Sequence, residues 1–403
     1  MLKGKTVVLG ITGSIAAYKM ANVASALIKE GAEVHVVMTK NATNFINPIT
    51  FETLTSNKCL VDTFDRNFQF NVAHVSLSQK ADVMLIAPAS ANIIGKLANG
   101  IADDMLTTMA LAAQCKIIIS PAMNTAMYKN KIVQDNLVKL ENYGFEIIKP
   151  IVGRLACNSI GEGKLPDENI LIDYIKQEIQ FEKDMQHLKI IVTAGPTIEK
   201  IDPVRYITNH SSGKMGYAIA EIAARRGAEV TLVSGPTKIK PPMFVNTIYV
   251  QSANDMYKAV MENLPECDII VKSAAVADYT VANISEEKIK KSDDKLELSL
   301  VRTKDILKEV GENKKSNQVI CGFSMETVDL IENSHKKLIS KKCDMIVANN
   351  LNEEGAGFGV DTNKVTIITE ENTKSFEILT KKQVAVEVLN QALDIYKSKN
   401  GEE

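Results

Sequence analysis

The sequence predicts an α/β protein with two doubly wound, Rossmann-like domains. Two short apolar runs, Val83–Ala87 and Lys116–Ser120, each end at a proline that small and amide residues follow. Runs of that length that are apolar on both faces suit central strands of a parallel sheet. A strand, a glycine turn and a helix open the chain, the same order recurs near residue 188, and 403 residues are long for one core. We therefore expect two sheets, each with its ligand beyond the carboxyl ends of the strands.

The first predicted site lies in two similar loops, Pro88–Asn92 and Pro121–Asn124, which follow the two apolar runs. Either loop alone is an ordinary proline-punctuated connection. Because the carboxyl ends of neighbouring parallel strands meet at one edge, we expect the loops to lie side by side. There they would offer amides and backbone donors to a flat, polar ligand.

Composition limits the classes of function. The formal net charge is -2 and the basic residues are widely spread, which argues against nucleic-acid and membrane-surface partners. No apolar run reaches the ~18 residues that a membrane span needs, and the N-terminal residues lead into a strand instead of a signal sequence. We expect a soluble, cytoplasmic protein. Six cysteines without a Cys-x-x-Cys pair argue against a zinc site and a disulfide framework.

The first strand turns at Gly10–Ser14 into a helix. Gly13 allows the backbone to approach a ligand, Ser14 is a good N-cap, and the free N–H groups of a helix start favour a phosphate. The next strand, Glu33–Met38, is followed by Thr39 and Lys40, where a dinucleotide fold usually has an acidic residue for the ribose. This favours a mononucleotide or flavin phosphate over NAD.

Two further segments of the first half carry reactive side chains. Asn71–Leu77 alternates as a strand would, with His74 opposite Val75 and Leu77. By itself His74 is more often a surface or hydrogen-bonded core histidine. After a strand predicted at Gly144–Lys149, the glycine-rich residues 153–168 predict a mobile loop that contains an accessible Cys157. Considered alone, Cys157 is more often an incidental thiol.

The second half repeats the design. A helix at about Glu168–Lys183 leads to a polar joint at Glu182–His187, and we place the domains at residues 1–185 and 186–403. The turn at residues 193–216 is unusually long, and its Gly213-Lys214 pair lacks the first glycine and the Ser/Thr of a Walker loop. It is therefore a different nucleotide cradle, if it is one.

Charged residues of this half suggest a phosphate site. Strand Asp268–Lys272 leads to Asp278, whose carboxylate could anchor Mg2+, although a solvated loop aspartate is commoner. Lys288, Lys290 and Lys291 form a basic run, and Lys337 and Lys341 share a helix face. Basic helix faces are usually just solvated. Several such clusters facing one crevice would instead suit a triphosphate.

These motifs, in this order, resemble the bifunctional phosphopantothenoylcysteine decarboxylase/phosphopantothenate–cysteine ligase family of coenzyme A synthesis over nearly the full chain. The first half resembles its flavin-dependent decarboxylases through GITGSIAAYK, NVAHVSL, APASAN, ANGIAD, PAMNTAM and GRLAC. The second half resembles the ligase through DPVRYITNHSSGKMG, AAVADY, EKIKK and GFSMET. Tyr128 and Asn158 depart from the family's tryptophan and glycine. Tyrosine keeps an aromatic wall and asparagine tolerates positive φ, so we expect retained chemistry.

The resemblance implies a flavodoxin-like first domain that binds FMN, because decarboxylation of a cysteinyl unit needs an electron sink that no side chain supplies. In the family scheme His74 is the base of the oxidation half, Asn124 with Met127 holds the substrate carboxylate, and Cys157 protonates the enethiolate. The implied FMN contacts are Gly13, Ser14, Thr39, Ser90, Asn92 and Met123.

For the ligase domain the resemblance implies that a nucleoside triphosphate activates 4'-phosphopantothenate as an acyl nucleotidylate, which the amine of cysteine then attacks. Fusion to the decarboxylase points to CTP over ATP. Asn209 would act on the acyl intermediate, Asp278 would also bind Mg2+, and Lys214 is a further candidate. The implied nucleotide contacts are Ala274, Asp278, Lys288, Lys304, Asp305, Ile306, Leu307, Phe323, Lys337 and Lys341.

Two alternative functions remain open at this point. A nicotinamide-dependent oxidoreductase is disfavoured by the missing acidic residue after each second strand. A non-catalytic flavin-domain regulator, as some relatives are, would not need His74, Asn124 and Cys157 together. The resemblance also implies a homo-oligomer, in which trimers of the first domain and dimers of the second could close a dodecamer.

Overall fold

The computed structural model describes residues 1–63, 73–155, 160–290, 296–326, 329–350 and 360–401. The chain divides into two compact units, Met1–Phe181 and Glu182–Glu403. Among the described residues, no helix is long and apolar enough to cross a membrane.

The first unit contains a five-stranded parallel sheet in the order β2-β1-β3-β4-β5. Its strands are β1 (Thr6–Ile11), β2 (Glu33–Met38), β3 (Val83–Ala89), β4 (Lys116–Pro121) and β5 (Glu146–Ile147). Every residue of β1 and β3 is buried, which confirms the prediction of central strands for the first apolar run. The order is that of flavodoxin-like folds, and it reverses between β1 and β3, where such sheets bind ligands.

Helices cover both faces of this sheet. They are α1 (Lys19–Lys29), α2 (Pro48–Thr55), α3 (Ala73–Lys80), α4 (Ala91–Ala98), α5 (Met105–Ala112), α6 (Thr125–Tyr128), α7 (Lys131–Asn142) and α8 (Glu168–Ile179). A 3-10 turn, Ile15–Tyr18, joins β1 to α1. One apolar cluster contains Leu9, Leu27 and Ile175, and the other contains Ile94 and Met109. Alternate residues of each strand thus feed two cores.

The structure corrects the strand that was predicted for Asn71–Leu77. Residues 71 and 72 lie outside the described residues, and 73–80 form α3. Leu77 and Ser78 are buried next to each other, whereas Ser76 and Gln79 are exposed. Two consecutive buried positions follow the period of a helix, and the alternation over so few residues was a misleading signal.

The structure corrects part of the loop predicted at residues 153–168, because described residues on either side of 156–159 form a β-hairpin. Strands β6 (Ile151–Arg154) and β7 (Ile160–Lys164) pair antiparallel. A Cβ on Gly161 would lie 2.4 Å from Oγ1 of Thr125. The glycine there permits close packing and does not indicate flexibility. Residues 156–159 at the turn lie outside the described residues.

The second unit contains an eight-stranded sheet in the order β12-β11-β8-β13-β16-β17-β19-β20, of which the first six strands are parallel. Its order also reverses, between β8 and β13, which confirms a second doubly wound sheet. The strands of this unit are β8 (Lys189–Ala194), β9 (Ile198–Lys200), β10 (Tyr206–Thr208), β11 (Glu229–Ser234), β12 (Asn246–Tyr249), β13 (Ile269–Lys272), β14 (Tyr279–Val281), β15 (Leu300–Arg302), β16 (Val319–Glu326), β17 (Met345–Asn350), β18 (Thr362–Asn363), β19 (Val365–Thr369), β20 (Thr373–Ser375) and β21 (Leu379–Thr380).

In the described part of this unit, five α-helices accompany the sheet: α9 (Lys214–Arg225), α10 (Ala253–Asn263), α11 (Ile306–Asn313), α12 (Leu330–Ser340) and α13 (Lys381–Asn400). Helix α9 follows the long turn and begins after Gly213, whose φ is +77°. A Cβ on Gly216 would lie 2.6 Å from Cβ of Ala194 on β8. The glycine therefore lets the first turn of α9 pack directly on the edge of the sheet that faces the candidate site.

Candidate active sites

The two proline loops of the first unit lie side by side, as predicted. Ala122 N donates a hydrogen bond of 3.0 Å to Ala89 O. Thr12 Oγ1 donates to Pro88 O (2.6 Å) and accepts from Ser90 N (2.9 Å), so the first turn of the chain is tied to the same loops. Because Thr12 is fully buried, these bonds are strong enough to fix the three segments as one sheet edge.

Polar side chains at this edge are held as helix caps. Ser14 Oγ accepts from Ala16 N (3.4 Å), and Ser90 Oγ accepts from Ile93 N (3.4 Å). Asn124 Oδ1 accepts from Ala126 N (2.8 Å) at the start of α6. Capping fixes the rotamers of these side chains before any ligand binds.

A cavity of about 400 Å3, which we call the hairpin cavity, opens beside these caps. Three predicted residues, Ser14, Met123 and Asn124, line it. A Cβ on Gly163 would lie 2.2 Å from Met123 O, so the hairpin approaches the end of β4 as closely as glycine allows. The other lining residues are Ile15, Ala16, Tyr18, Lys19, Ala122, Arg154, Leu155, Gly163, Lys164 and Leu165.

Of the predicted residues of the first unit that the structure describes with their side chains, the others do not line this cavity. Gly13 packs against Asn41. A Cβ added at Gly13 would lie 2.9 Å from Cβ of Asn41. Thr39 Oγ1 accepts from Ala42 N (3.3 Å) and has a local role. The remaining side chains at the edge are the N-cap Ser90 and the exposed Asn92 and Met127. The side chain of His74, and Cys157 as a whole, lie outside the described residues.

Sequence reasoning missed three cations of the hairpin cavity: Lys19, Arg154 and Lys164. Cations beside a capped turn attract an anion, and the apolar walls suit a flat ring system. These features fit FMN, whose phosphate and isoalloxazine ring need such partners. Arg154 and Lys164 lie within the glycine-rich residues 153–168, so these two cations could have been recognised in the sequence.

In the second unit the structure brings seven predicted residues together around one cavity of about 380 Å3, the lysine cavity. They are Asp278, Lys304, Asp305, Ile306, Leu307, Lys337 and Lys341. Five more residues complete its lining: Lys272, Val276, Tyr279, Arg302 and Thr303. Five cations and two carboxylates therefore share one crevice, which favours an anion with an associated cation.

Several of these charges already have partners. Lys341 Nζ lies 2.5 Å from Asp305 Oδ2, and Asp305 Oδ1 also accepts from Lys308 N (3.0 Å). Burial tends to raise the pKa of Asp305, but these contacts outweigh it and leave the pKa lowered. Lys304 Nζ lies 4.1 Å from the centre of the Tyr257 ring. Lys337 Nζ donates to Phe323 O at 2.9 Å.

A second cavity of about 160 Å3, the amide cavity, contains the predicted Ala274, Phe323 and Lys214. Lys214 Nζ lies 2.6 Å from Asp361 Oδ1. The other residues that line it are Ser211, Ser212, Gly213, Met215, Gly216, Ser273, Ala275, Ser324, Met325, Asn349, Asn363 and Lys381. The implied nucleotide contacts are thus divided between two cavities.

Three buried polar residues of the amide cavity were not predicted. Asn349 and Asn363 are 7% and 1% exposed, and their amide oxygens find no hydrogen-bond partner among the described residues. Burial, together with the nearby charge of Lys214, lowers the pKa of Lys381. Buried amide oxygens without partners and a poorly solvated ammonium mark a ligand site more than a structural core.

Lys288 and Asn209 line neither cavity. Lys288 is exposed. Two hydrogen bonds hold the backbone of the adjacent Ile289: its N–H donates to Asp202 Oδ2 (3.2 Å), and its carbonyl accepts from Arg205 (2.7 Å). Asn209 Nδ2 donates to the carbonyl of Val276 at 3.0 Å. Val276 lines the lysine cavity, so Asn209 lies at its border.

No cluster of three His, Cys, Asp or Glu side chains occurs in the part of the chain that the structure describes. The lysine cavity offers the carboxylates of Asp278 and Asp305. Mg2+ is usually held by one or two carboxylates together with substrate phosphates and water. The donor set therefore fits a Mg2+ that arrives with a nucleotide.

Comparison with known proteins gives matches along both units. Residues 1–180 match the family model described as Flavoprotein, and residues 185–396 match that of the DNA/pantothenate metabolism flavoprotein C-terminal domain. The Coenzyme A biosynthesis bifunctional protein CoaBC of Bacillus subtilis (strain 168) is 43% identical over 395 residues, 97% of each chain.

Two further relatives are similarly close. The protein of the same name from Vibrio vulnificus (strain YJ016) is 42% identical over 392 residues, 97% of this chain and 98% of its own. A cysteine/cysteine sulfinic acid decarboxylase from an unknown prokaryotic organism is 44% identical over 356 residues, 87% of this chain and 99% of its own.

Proposed function

Because the chain belongs to the family of coenzyme A biosynthesis bifunctional proteins, we propose that it catalyses two consecutive steps of that synthesis. The second unit ligates 4'-phosphopantothenate to cysteine with CTP, and the first unit decarboxylates the phosphopantothenoylcysteine to 4'-phosphopantetheine. The proposal rests on the similarity to these relatives over 97% of the chain. The two doubly wound sheets support it, because each has a cavity at the carboxyl ends of its strands.

The hairpin cavity is the proposed FMN site. When bound, FMN supplies the electron sink that loss of carbon dioxide from a cysteinyl carboxylate requires. The apolar walls orient the ring, and Lys19, Arg154 and Lys164 attract the anionic groups of cofactor and substrate. Asn124, whose rotamer is fixed as a helix cap, positions the substrate carboxylate. The hairpin contributes Arg154, Gly163 and Lys164 to the lining of the site.

Two residues move protons in this proposal. His74 takes a proton from the substrate in the oxidation half, since imidazole is a base near neutral pH. Cys157 returns a proton after carbon dioxide has left, because a thiol is acidic enough to protonate an enethiolate. Both residues are carried over from the family motifs, NVAHVSL and GRLAC.

The lysine cavity is the proposed site of phosphate-group chemistry in the ligase. Its cations neutralise the triphosphate while the carboxylate of 4'-phosphopantothenate attacks the α-phosphorus and pyrophosphate leaves. A Mg2+ ion that arrives with the nucleotide would be held by Asp278. The amine of cysteine then displaces CMP from the acyl group, and Asn209 at the border of the cavity orients that intermediate.

One experiment tests this proposal. Purified full chain is incubated with 4'-phosphopantothenate, cysteine, CTP and Mg2+, and pyrophosphate, carbon dioxide and 4'-phosphopantetheine are measured. Free cysteine and cysteine sulfinic acid, each without 4'-phosphopantothenate, serve as competing substrates, since one relative is a decarboxylase of that kind. We expect all three products only with the full mixture. Carbon dioxide from either free amino acid, or no pyrophosphate, would refute it.

The colour of the protein separates the alternatives. A yellow protein that releases FMN on denaturation excludes both a nicotinamide-dependent oxidoreductase and a flavin-free regulatory scaffold. Reduced nicotinamide released in place of FMN would support the first of those alternatives.

A further inference from the structure

Lys272 occupies an unusual position in the lysine cavity. It is the last residue of β13, a strand between β8 and β16 in the interior of the sheet, and it pairs with Thr193 and Gly322. Its side chain is only partly exposed and lines the cavity. An ammonium group is thus placed at the carboxyl end of a central strand, where doubly wound sheets bind ligands.

Other cations of the cavity have partners or solvent. Lys341 pairs with Asp305, Lys337 donates to the carbonyl of Phe323, and Lys304 lies over the Tyr257 ring. Arg302 is exposed. Within the described part of the chain, Lys272 Nζ forms no hydrogen bond and no ion pair.

The protein therefore keeps a poorly solvated cation that has neither a hydrogen bond nor an ion pair among the described residues. Burial and the nearby charge of Lys337 lower the pKa of Lys272 to about 8, although Asp305, Asp278 and Cys343 act in the opposite direction. A methionine would fill the same volume without this desolvation cost. An unpaired charge that destabilises the free protein, and that faces a cavity, marks a position at which a bound anion supplies the missing partner.

We propose that Lys272 is a binding residue of the ligase, whose ammonium group contacts a phosphate group of a bound substrate in the lysine cavity. The inference rests on the proposed function, because both ligase substrates, CTP and 4'-phosphopantothenate, carry such a group. Lys272 belongs to none of the motifs that carry the family resemblance, and its role follows from its position at the strand end.

The test compares Lys272→Met with Lys336→Met by calorimetric titration of CTP alone and of 4'-phosphopantothenate alone. Lys336 lies next to Lys337 but is 69% exposed, pairs with Glu332 at 2.7 Å and does not line the cavity. Loss of a charge-assisted hydrogen bond should weaken binding of one of the two substrates about ten- to a hundredfold in Lys272→Met. Lys336→Met should bind both as the wild type does, and the affected substrate identifies the phosphate.

Thermal melting separates binding from a structural role. Lys272→Met should melt at the same temperature as the wild type or higher, because a partly buried charge without a hydrogen-bonding partner is removed. Unchanged affinity of Lys272→Met for both substrates, whatever its melting temperature, would overturn the inference. If the wild type itself releases no pyrophosphate, the proposed ligase function fails, which is a different result.

A second readout uses the wild type and does not depend on how the variants fold. An anion bound to Lys272 raises its pKa above 8, so the affected substrate should bind roughly tenfold more weakly at pH 9 than at pH 7. Cys343 does not titrate in this range, since burial raises its pKa to about 12. Lys272→Arg, which stays charged, should flatten this pH dependence. A pH profile that Lys272→Arg leaves unchanged would overturn the inference.

Discussion

Asn209 is held at the border of the lysine cavity by one hydrogen bond, from Nδ2 to Val276 O. We predict that Asn209→Asp still releases pyrophosphate from CTP but fails to pass the acyl group to cysteine. The substitution removes the donor and places a negative charge beside an acyl phosphate, while the phosphate-binding cations remain. Pyrophosphate release with and without cysteine, and mass detection of the acyl-cytidylate, check this prediction.

Asn313→Asp is the matched control for that variant. Asn313 Nδ2 also donates to a backbone carbonyl, that of Glu309 at 2.8 Å, but Asn313 lines neither cavity. It should leave both half-reactions intact. Equal loss of both half-reactions in Asn209→Asp would show that Asn209 supports nucleotide binding and not transfer.

In the decarboxylase, Cys157→Ser should stall turnover after carbon dioxide has left. A serine hydroxyl is a far weaker acid than a thiol, so the enethiolate is not protonated. Absorbance near the flavin band should stay bleached after substrate is added, and an enethiol product should accumulate. Normal turnover by this variant would remove Cys157 from the mechanism.

At the residue scale, the sequence predicted the lysine cavity better than the hairpin cavity. Residues 304–307, which the family resemblance implied as nucleotide contacts, form one contiguous stretch of its lining. Lys272, Asn363 and Lys381 were missed because only the packing of distant strands and helices brings them to a cavity. Asn92 was predicted from its position in a loop, but its exposure depends on where α4 begins.

Among the structural elements, the β6–β7 hairpin depends on Gly163, which has a φ of +128° and whose Cβ would meet the carbonyl of Met123. We predict that Gly163→Ala destabilises the first unit by more than the ~1–2 kcal/mol of a left-handed alanine and reduces the FMN retained on purification. Chemical denaturation and flavin content per chain measure both effects.

Gly144→Ala provides the control for backbone strain. Gly144 has a φ of +90°, but a Cβ there would find nothing within 4 Å. This variant should lose only about 1–2 kcal/mol of unfolding free energy and keep its flavin. Equal effects of the two substitutions would mean that the contact with Met123 does not hold the hairpin.

The segment that carries Lys288 is held by Asp202, which is 2% exposed. Burial pushes the pKa of Asp202 up, but hydrogen bonds from the backbone N–H groups of Val204, Arg205 and Ile289 outweigh burial and leave the pKa lowered. A lowered pKa means that the clamp is present above the ordinary value of 3.8 and is lost as the pH falls through the folded-state value.

We therefore expect Asp202→Asn to reduce hydrogen-exchange protection at residues 285–290 at neutral pH, and the wild type to lose this protection in acid. Asp255→Asn, which alters only the cap of α10, is the control. If Asp202→Asn kept full protection there, Arg205 alone would hold the segment.

At the scale of elements, the central strands could be predicted because each is a continuous apolar run with a clear stop. Helix α3 and the β6–β7 hairpin could not. Helix α3 has too few residues for strand alternation to be distinguished from a helical period. The hairpin packs through Gly161 against Thr125, a contact that the local sequence does not reveal.

For the whole molecule, the resemblance predicts a dodecamer built from trimers of the first unit and dimers of the second, and we propose this assembly together with a cytoplasmic location. Combining threefold with twofold axes closes such a particle. Light scattering should give about twelve times the mass of the 44.2 kDa chain. A monomer that still binds FMN would contradict it.

The two-unit architecture was predictable from chain length and the recurrence of strand, glycine turn and helix, both of which are visible without a structure. No single motif predicts the order of the strands. It follows from how the connections pack, and it brings residues as distant as Lys272, Asp305 and Lys341 to one cavity.

The most direct test of the account is to follow both half-reactions in one sample of the full chain. With 4'-phosphopantothenate, cysteine and CTP, pyrophosphate, carbon dioxide and 4'-phosphopantetheine should appear in equal amounts, and omission of CTP should abolish all three. When phosphopantothenoylcysteine is supplied directly, carbon dioxide should form without CTP and survive Asn209→Asp. Decarboxylation that failed in that variant, or pyrophosphate without 4'-phosphopantetheine in the wild type, would contradict the assignment of one step to each unit.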